Sequence, residues 1–158
     1  METKTILGIS PGTYNLGFAV MRNQVLIDYG VKVYKGKISK DKMHHIIDSV
    51  ERLTQKYQPE VAVLKMADDL ITSKNMQKLY EQVATMFCDR KIAFEECTLE
   101  EIKDTFHVGT SNIQELHEKI MECYPLLSFV RNKGPNRHQY YGKMLEAAGS
   151  IKAARNML

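Results

Sequence analysis

The chain has 158 residues, a length typical of one domain rather than two, and we expect a single domain over residues 1–158. Hydrophobic residues make up 44% and charged residues 26%, which is the composition of a globular protein and excludes a disordered chain. The formal net charge of +3 permits contact with nucleic acid but is far from the strongly basic character of a histone-like protein.

Cysteine usage and hydropathy predict the compartment. Cys88, Cys97 and Cys123 are odd in number and follow no metal-ligand spacing. No apolar run approaches the roughly 20 residues that a membrane-spanning helix needs, and residues 1–5 show no signal-peptide pattern. We therefore expect a cytoplasmic protein with reduced thiols and no membrane contact.

The first three predicted elements are strands. Residues 4–10 form an apolar, β-branched run that ends at a Pro-Gly turn. Residues 15–21 alternate between apolar and small or polar side chains, and residues 25–34 follow after a short polar break. The short connections between these runs predict an antiparallel meander.

Helices alternate with strands in the rest of the chain. Apolar residues recur at helical spacing over 40–57, 74–90, 111–123 and 137–157, with a short helix opening at Thr98. Short apolar runs predict strands over 61–64 and 91–97, and residues 125–135 have the composition of a loop. Strands that alternate with helices add to a sheet in parallel. We therefore predict an α/β fold with a mixed five-stranded sheet, three antiparallel strands and then two parallel ones, flanked by helices.

One segment carries a family resemblance. Residues 8–17, Gly-Ile-Ser-Pro-Gly-Thr-Tyr-Asn-Leu-Gly, end one strand, turn on Pro-Gly and start the next. This segment resembles the opening of the RuvC family of Holliday-junction resolvases, in which the first strand ends in Gly-hydrophobic-Asp-Pro-Gly. Similar segments follow in the family's order at 58–63, 95–106, 109–121 and 146–154. The resemblance covers nearly the whole chain and implies a ribonuclease H-like fold.

The resemblance also implies a site of four carboxylates that hold two divalent cations, which activate water and stabilise the leaving oxygen at a phosphate. Two of the family's acids stand three residues apart on the last helix. The matching positions in this chain are Ser10, Lys65, Glu146 and Gly149. Earlier registers of the last helix instead place Tyr140 with Lys143, or Tyr141 with Met144, and restore no acidic pair.

These substitutions predict a degenerate site without a metal ion. A serine hydroxyl is neutral, and an ammonium group repels a cation. We expect a polar cluster in which Lys65 neutralises Glu146 beside Ser10. The alternative is a Mg²⁺ site built from displaced carboxylates, with Asp68, Asp69 and Glu95 as candidates. A hydrolase in which Lys65 activates Ser10 is disfavoured, because the sequence indicates no oxyanion hole.

Basic residues interleaved with aromatic ones suit phosphate contacts and base stacking. Tyr140 and Tyr141 stand beside one such group. Solvated surface charges are the alternative interpretation. The candidates for nucleic-acid binding are Lys35, Lys37, Lys74, Arg131, Lys133, Arg137 and Lys143.

Three functions remain open at this point. The first is a resolvase-family protein that binds branched or double-stranded DNA as a homodimer, packed through its central helices, with its nuclease activity lost or strongly impaired. The second is an active Mg²⁺-dependent, structure-selective endodeoxyribonuclease that uses displaced carboxylates. The third is a protein-interaction module on an inactive nuclease fold. The sequence leaves open whether the protein is an enzyme.

Overall fold

The computed structural model describes residues 4–12, 14–36, 39–66, 73–109 and 112–155. The strands are β1 (Thr5–Pro11), β2 (Asn15–Arg22), β3 (Val25–Val33), β4 (Val61–Lys65) and β5 (Ala93–Cys97). The helices are α1 (Lys40–Tyr57), α2 (Lys74–Asp89), α3 (Leu99–Thr105), α4 (Ile113–Cys123) and α5 (Arg137–Arg155).

The five strands form one mixed sheet in the order β3-β2-β1-β4-β5. Strands β1, β2 and β3 pair antiparallel, whereas β4 joins β1 in parallel and β5 joins β4 in parallel. This topology confirms the predicted three antiparallel and two parallel strands. It places β1 and β4 at the centre, where their residues are covered on both faces.

Helices cover both faces of the sheet. Leu7 and Ile9 of β1 pack with α1 and α2 on one face. The opposite face is covered by α5, supported by α3 and α4. Because side chains alternate along a strand, the neighbouring positions Gly8 and Ser10 point toward α5.

Two glycines let α5 lie directly on the sheet. A β-carbon at Gly8 would lie 2.5 Å from the carbonyl oxygen of Ala147. A β-carbon at Gly17 would lie 2.1 Å from the carbonyl carbon of Lys143. Only a residue without a side chain permits this approach, so these glycines set the depth of α5 against β1 and β2.

The segment after α4 differs from its prediction. Residues 125–135 were expected to form a loop, but Pro125–Asn132 form a 3-10 helix. Proline suits the first turn of a helix, and Leu127 and Val130 bury their side chains against the core. Burial of these two residues explains why the segment is ordered as a helix. None of the helices formed by the described residues is long and apolar enough to cross a membrane.

Candidate functional site

The candidate site lies at the carboxyl ends of the two central strands. Ile9 of β1 pairs with Leu64 of β4, and continuing this parallel register by one residue sets Ser10 beside Lys65. Ser10 also pairs with Gly17 of β2, whose α-carbon faces the backbone of Lys143. Ser10 and Lys65 therefore meet α5 at one point.

Lys65 forms a buried ion pair with Glu146 of α5. The distance from Lys65 Nζ to Glu146 Oε1 is 3.0 Å, and the two side chains are 7% and 8% exposed. The second carboxylate oxygen, Oε2, lies 3.3 Å from Nε2 of His117 on α4. Glu146 is thus bound by one residue of the sheet and by one residue of a neighbouring helix.

Lys143 contributes a second positive charge to the same place. It stands three residues before Glu146, so both side chains project from one face of α5. Burial lowers the pKa of Lys143, the Glu146 carboxylate raises it, and the charge and hydrogen-bonding contact of Lys65 lower it further. The aliphatic stem of Lys143 lies over Gly12, where a β-carbon would be 3.0 Å from Cε.

The charges around Glu146 keep it ionised. Burial alone raises the pKa of this carboxyl, but the His117 hydrogen bond and the charges of Lys65 and Lys143 lower it to about 2. A buried carboxylate with a depressed pKa requires compensating partners. Glu146 is therefore an anion at neutral pH, surrounded by two ammonium groups and an imidazole.

A second histidine extends this network toward the surface. His117 Nδ1 lies 2.8 Å from Nδ1 of His138 on α5, and the two rings stack with their centroids 5.0 Å apart. Burial lowers the pKa of His138, and the adjacent His117 and Arg137 lower it further. The sequence shows no metal-site spacing for these histidines, and their pairing depends on the packing of α4 against α5. The only sign of a special role for His117 is that it lies among the buried apolar positions of α4.

Ser10 has an unusual environment for a hydroxyl. The residue is fully buried, and its Oγ has no hydrogen-bond partner among the described residues. A buried polar atom without a partner is rare in folded proteins and calls for an explanation. The unpaired Ser10 hydroxyl stands near the end of β1, beside Lys65 in the strand register.

Cys97 lies at the end of β5, next to Lys65 at the end of β4. It pairs with Lys65 in the register between β4 and β5 and is fully buried. Burial raises the pKa of its thiol to about 12, with a contribution from the charge of Glu101. Its Sγ donates to the carbonyl oxygen of Thr98, so Cys97 is a protonated structural thiol rather than a metal ligand.

The structure brings together three of the four positions that the family resemblance singled out. Ser10, Lys65 and Glu146 share the site, whereas Gly149 faces Ile120 and Ile102 in the core. Lys143, which the sequence analysis assigned to the basic surface, faces the site in its place. Glu95 lies on the edge strand β5 and is half-buried. Asp68 and Asp69 lie outside the described residues.

The residues of this site do not fit two divalent cations. Mg²⁺ prefers oxygen ligands whose charge offsets its own, and here one carboxylate and one hydroxyl stand beside two ammonium groups. Within the described ranges, no group of three or more His, Cys, Asp or Glu side chains is arranged to hold a metal ion.

The basic residues that the sequence singled out are otherwise mostly exposed. Lys35, Lys74, Arg131 and Lys133 lie at the surface, Arg137 is partly buried, and Lys37 lies outside the described residues. Arg131 Nε is 2.9 Å from Glu118 Oε2, which offsets part of its charge.

Two aromatic residues lie exposed near the site. Tyr140 is 45% exposed, and Tyr14, in the turn that leads into β2, is 71% exposed. The ammonium of Lys42 lies 5.2 Å from the centre of the Tyr14 ring. Tyr14 was not identified from the sequence, because its exposure depends on how the turn projects from the sheet.

Comparisons with known proteins agree with this architecture. The family model described as "Crossover junction endodeoxyribonuclease RuvC" matches residues 6–126. Thermus thermophilus RuvC in complex with a Holliday junction substrate superposes with a TM-score of 0.72 at 13% identity, covering 97% of this chain and 96% of that chain. A further Thermus thermophilus RuvC structure gives a TM-score of 0.73 at 14% identity, with the same coverage.

The fowlpox virus resolvase, in a complex with substrate Holliday junction DNA, matches with a TM-score of 0.53 at 14% identity. This match covers 97% of the present chain and 95% of the viral one. At such identities the similarity concerns the fold, and it confirms the expected ribonuclease H-like architecture. No curated protein sequence matches the chain.

Proposed function

The chain belongs to the family of the crossover junction endodeoxyribonuclease RuvC, and from that membership we propose that it binds branched DNA and does not cleave it. Binding is supported by two solved proteins of the same fold, each in a complex with Holliday junction DNA. The loss of cleavage is supported by one observation above all, the buried ion pair between Lys65 and Glu146.

The chemistry of the site favours an inactive nuclease. Cleavage by two metal ions requires ligands that neutralise both cations and place them on either side of the phosphate. The Lys65 ammonium lies 3.0 Å from Glu146 and pairs with the carboxylate that would otherwise bind a cation. Lys143 adds a second charge that repels any cation entering the same space.

DNA binding in this proposal relies on the exposed basic residues. Lys133 and Arg137 flank the start of α5 at the rim of the site, and Tyr140 lies on the next turn. Phosphate contacts of this kind supply affinity without reading sequence. They weaken as the salt concentration rises, because binding releases counterions from the DNA. Exposed tyrosines provide stacking surfaces for unpaired bases at a branch point.

The proposal includes a homodimer, as the family resemblance implies, in the cytoplasm, as the cysteine usage predicts. Helix α2 directs most of its apolar residues into its own chain, since Met76, Leu79, Tyr80, Val83 and Phe87 are buried there. A dimer through α2 would therefore use the more polar side of the helix. Light scattering of the purified chain gives the oligomeric state directly.

The test is a titration of the protein into a labelled four-way junction, with binding and cleavage followed in the same samples. We expect binding in EDTA that weakens with salt, and no cleavage when Mg²⁺ or Mn²⁺ is added. A duplex of the same sequence is the control and should bind more weakly.

Two results would contradict the proposal. Metal-dependent cleavage would mean that carboxylates such as Asp68 and Asp69 hold the cations, and the double variant Asp68→Asn/Asp69→Asn should then abolish it. Absence of junction binding at low salt would favour the protein-interaction module instead.

A further inference from the structure

We propose that Lys65, Lys143 and Ser10 form a site that binds a phosphodiester group of DNA directly, without a metal ion. This inference rests on the proposed function, because it assigns a ligand to the site that the inactive nuclease retains. The two ammonium groups would take over the electrostatic role of divalent cations, which is to attract and orient the phosphate.

The charge balance of the site calls for one more anion. Two lysines face a single carboxylate: Lys65 Nζ lies 3.0 Å from Glu146 Oε1, and Lys143 stands one turn before Glu146 on the same face of α5. With both lysines protonated, the cluster carries one excess positive charge inside the fold. A phosphodiester carries one negative charge and would neutralise it.

The Ser10 hydroxyl supplies the second observation. Its Oγ is fully buried and unpaired among the described residues, although it stands at the end of β1 beside Lys65. A hydroxyl can donate to a phosphate oxygen, as serine side chains do in many phosphate contacts. A bound phosphate would therefore satisfy a polar atom that the described residues leave unsatisfied.

Lys143 is the partly exposed member of the site, whereas Ser10, Lys65 and Glu146 are buried. Its stem packs against Gly12, which has no side chain. In the proposal, rotation of this flexible stem would move the ammonium outward, open the way to Lys65 and present a charge to an approaching phosphate.

A purely structural cluster is the competing explanation. A buried ion pair between Lys65 and Glu146 links a strand to a helix and needs no further cation. It does not explain why a second lysine packs over Gly12 beside the pair, or why the Ser10 hydroxyl has no partner among the described residues. These two observations favour a binding site over a salt-bridged core.

The probe for this inference is dimethyl phosphate, a monoanionic phosphodiester too small to contact the exposed basic surface at several points. It is titrated in EDTA into the ¹⁵N-labelled full chain, and the amide resonances of residues 10, 65 and 143 are followed. We expect a saturable shift at these residues. Lys143→Met should weaken the affinity about tenfold, since a charged hydrogen bond is lost.

Three further variants test the site. Ser10→Ala removes only the hydroxyl, a change too small to unfold the chain, and should weaken binding about threefold, by an ordinary hydrogen bond. Ser10→Asp should abolish binding, because the new carboxylate neutralises the lysines and repels the phosphate. Lys78→Met removes an exposed lysine of α2, on the opposite face of the sheet, and should leave dimethyl phosphate binding unchanged.

Binding of the four-way junction is measured with the same variants. The two measurements then distinguish a failure of the phosphate site from a failure of the proposed function. Junction binding without saturable dimethyl phosphate binding, or with equal affinities for wild type and Lys143→Met, would overturn the phosphate site and leave the proposed function standing. Dimethyl phosphate binding without junction binding would support the site and overturn the proposed function. Dimethyl phosphate binding only when Mg²⁺ is added would overturn the metal-free site.

Discussion

Lys65 and Glu146 form an ion pair of 3.0 Å between the last residue of β4 and the middle of α5, with less than a tenth of either side chain exposed. Removing two charges from water costs several kcal/mol for each ion, and their attraction repays this only with good geometry and further hydrogen bonds. His117 and Lys143 supply those further contacts. The pair is thus one part of a cluster whose members depend on one another.

Replacing Lys65 with methionine should destabilise the protein by about 3 kcal/mol, because it leaves Glu146 buried with fewer compensating charges. The value falls at the low end for a broken buried pair, since Lys143 and His117 remain beside the carboxylate. Urea denaturation of wild type, Lys65→Met, Glu146→Leu and the double variant measures the coupling. The double variant should lose less unfolding free energy than the two single variants lose together.

The ion pair between Arg131 and Glu118 is the control. Its charged atoms are 2.9 Å apart, but the side chains are 40% and 44% exposed. Solvent screens such a pair, so Arg131→Met should change stability by less than about 1 kcal/mol. Equal effects at the two pairs would contradict the assignment of Lys65 to a buried charge cluster.

Acid should destabilise the protein through Glu146. The pKa of this carboxyl lies at about 2 in the folded state, below its ordinary value of 4.5. A depressed carboxyl pKa contributes stability that is fully present above the unfolded value and is lost as the pH falls from 4.5 toward 2. The contribution is on the order of 3 kcal/mol.

Denaturation at pH 6, 4 and 3 measures this loss. Because other carboxyls also titrate in this range, the comparison is with Glu146→Gln. This variant lacks the ionisable group, so its stability should fall less steeply with acid. Parallel pH profiles for the two proteins would mean that Glu146 is not held ionised by its neighbours.

The sequence was sufficient for the sheet and for part of the site. Alternating and continuous apolar runs predict all five strands, and the short and long connections between them predict which strands are antiparallel. Ser10 and Lys65 were identified as site positions through the family resemblance, and the structure places both near the carboxyl ends of neighbouring strands.

The helix residues that surround Glu146 were harder to predict from the sequence. Residues three positions before and three positions after Glu146 share its face of α5, so spacing alone does not distinguish Lys143 from Gly149. Packing makes the distinction, since Gly149 contacts Ile102 and Ile120 while Lys143 crosses Gly12. The contact between His117 and His138 joins two helices and has no counterpart in local sequence.

Gly17→Ala should destabilise the protein by at least about 3 kcal/mol. The added carbon would lie 2.1 Å from the backbone of Lys143, so β2 and α5 must separate to admit it. Gly12→Ala is the comparison, because there the nearest atom is the flexible Cε of Lys143 at 3.0 Å and the nearest backbone atom, the Asn15 oxygen, is farther away at 3.2 Å. Thermal unfolding should show a small change for Gly12→Ala, and comparable losses for the two variants would contradict the close contact of α5 with β2.

The histidine pair should show a defined arrangement of protons once both imidazoles are neutral. Glu146 is ionised and can only accept, so His117 must donate from Nε2. Nδ1 of a neutral His117 then accepts, and His138 must donate from Nδ1. Nitrogen-15 NMR should find His138 protonated at Nδ1, with the exposed His44 as a reference. Protonation of His138 at Nε2 would be inconsistent with the observed contact.

Placing acids at Ser10, Lys65 and Lys143 should convert the site into a metal site. The variant Ser10→Asp/Lys65→Glu/Lys143→Asp, together with native Glu146, places four carboxylates where β1, β4 and α5 meet. Four neighbouring carboxylates repel one another, so the variant should unfold at a lower temperature than wild type in EDTA. Mn²⁺ should raise its melting temperature, because the cation binds only the folded state.

The same variant with Glu146→Gln is the control for this conversion, since it lacks one of the four carboxylates. Calorimetry should show Mn²⁺ binding at least about tenfold weaker in the control, because one charged ligand is missing. Wild type should bind no Mn²⁺ at the site, where Lys65 and Lys143 repel it. A folded triple variant without measurable Mn²⁺ affinity would mean that the strand ends and α5 no longer have the spacing of a two-cation site, and that the loss of the metal involved the backbone as well as the side chains.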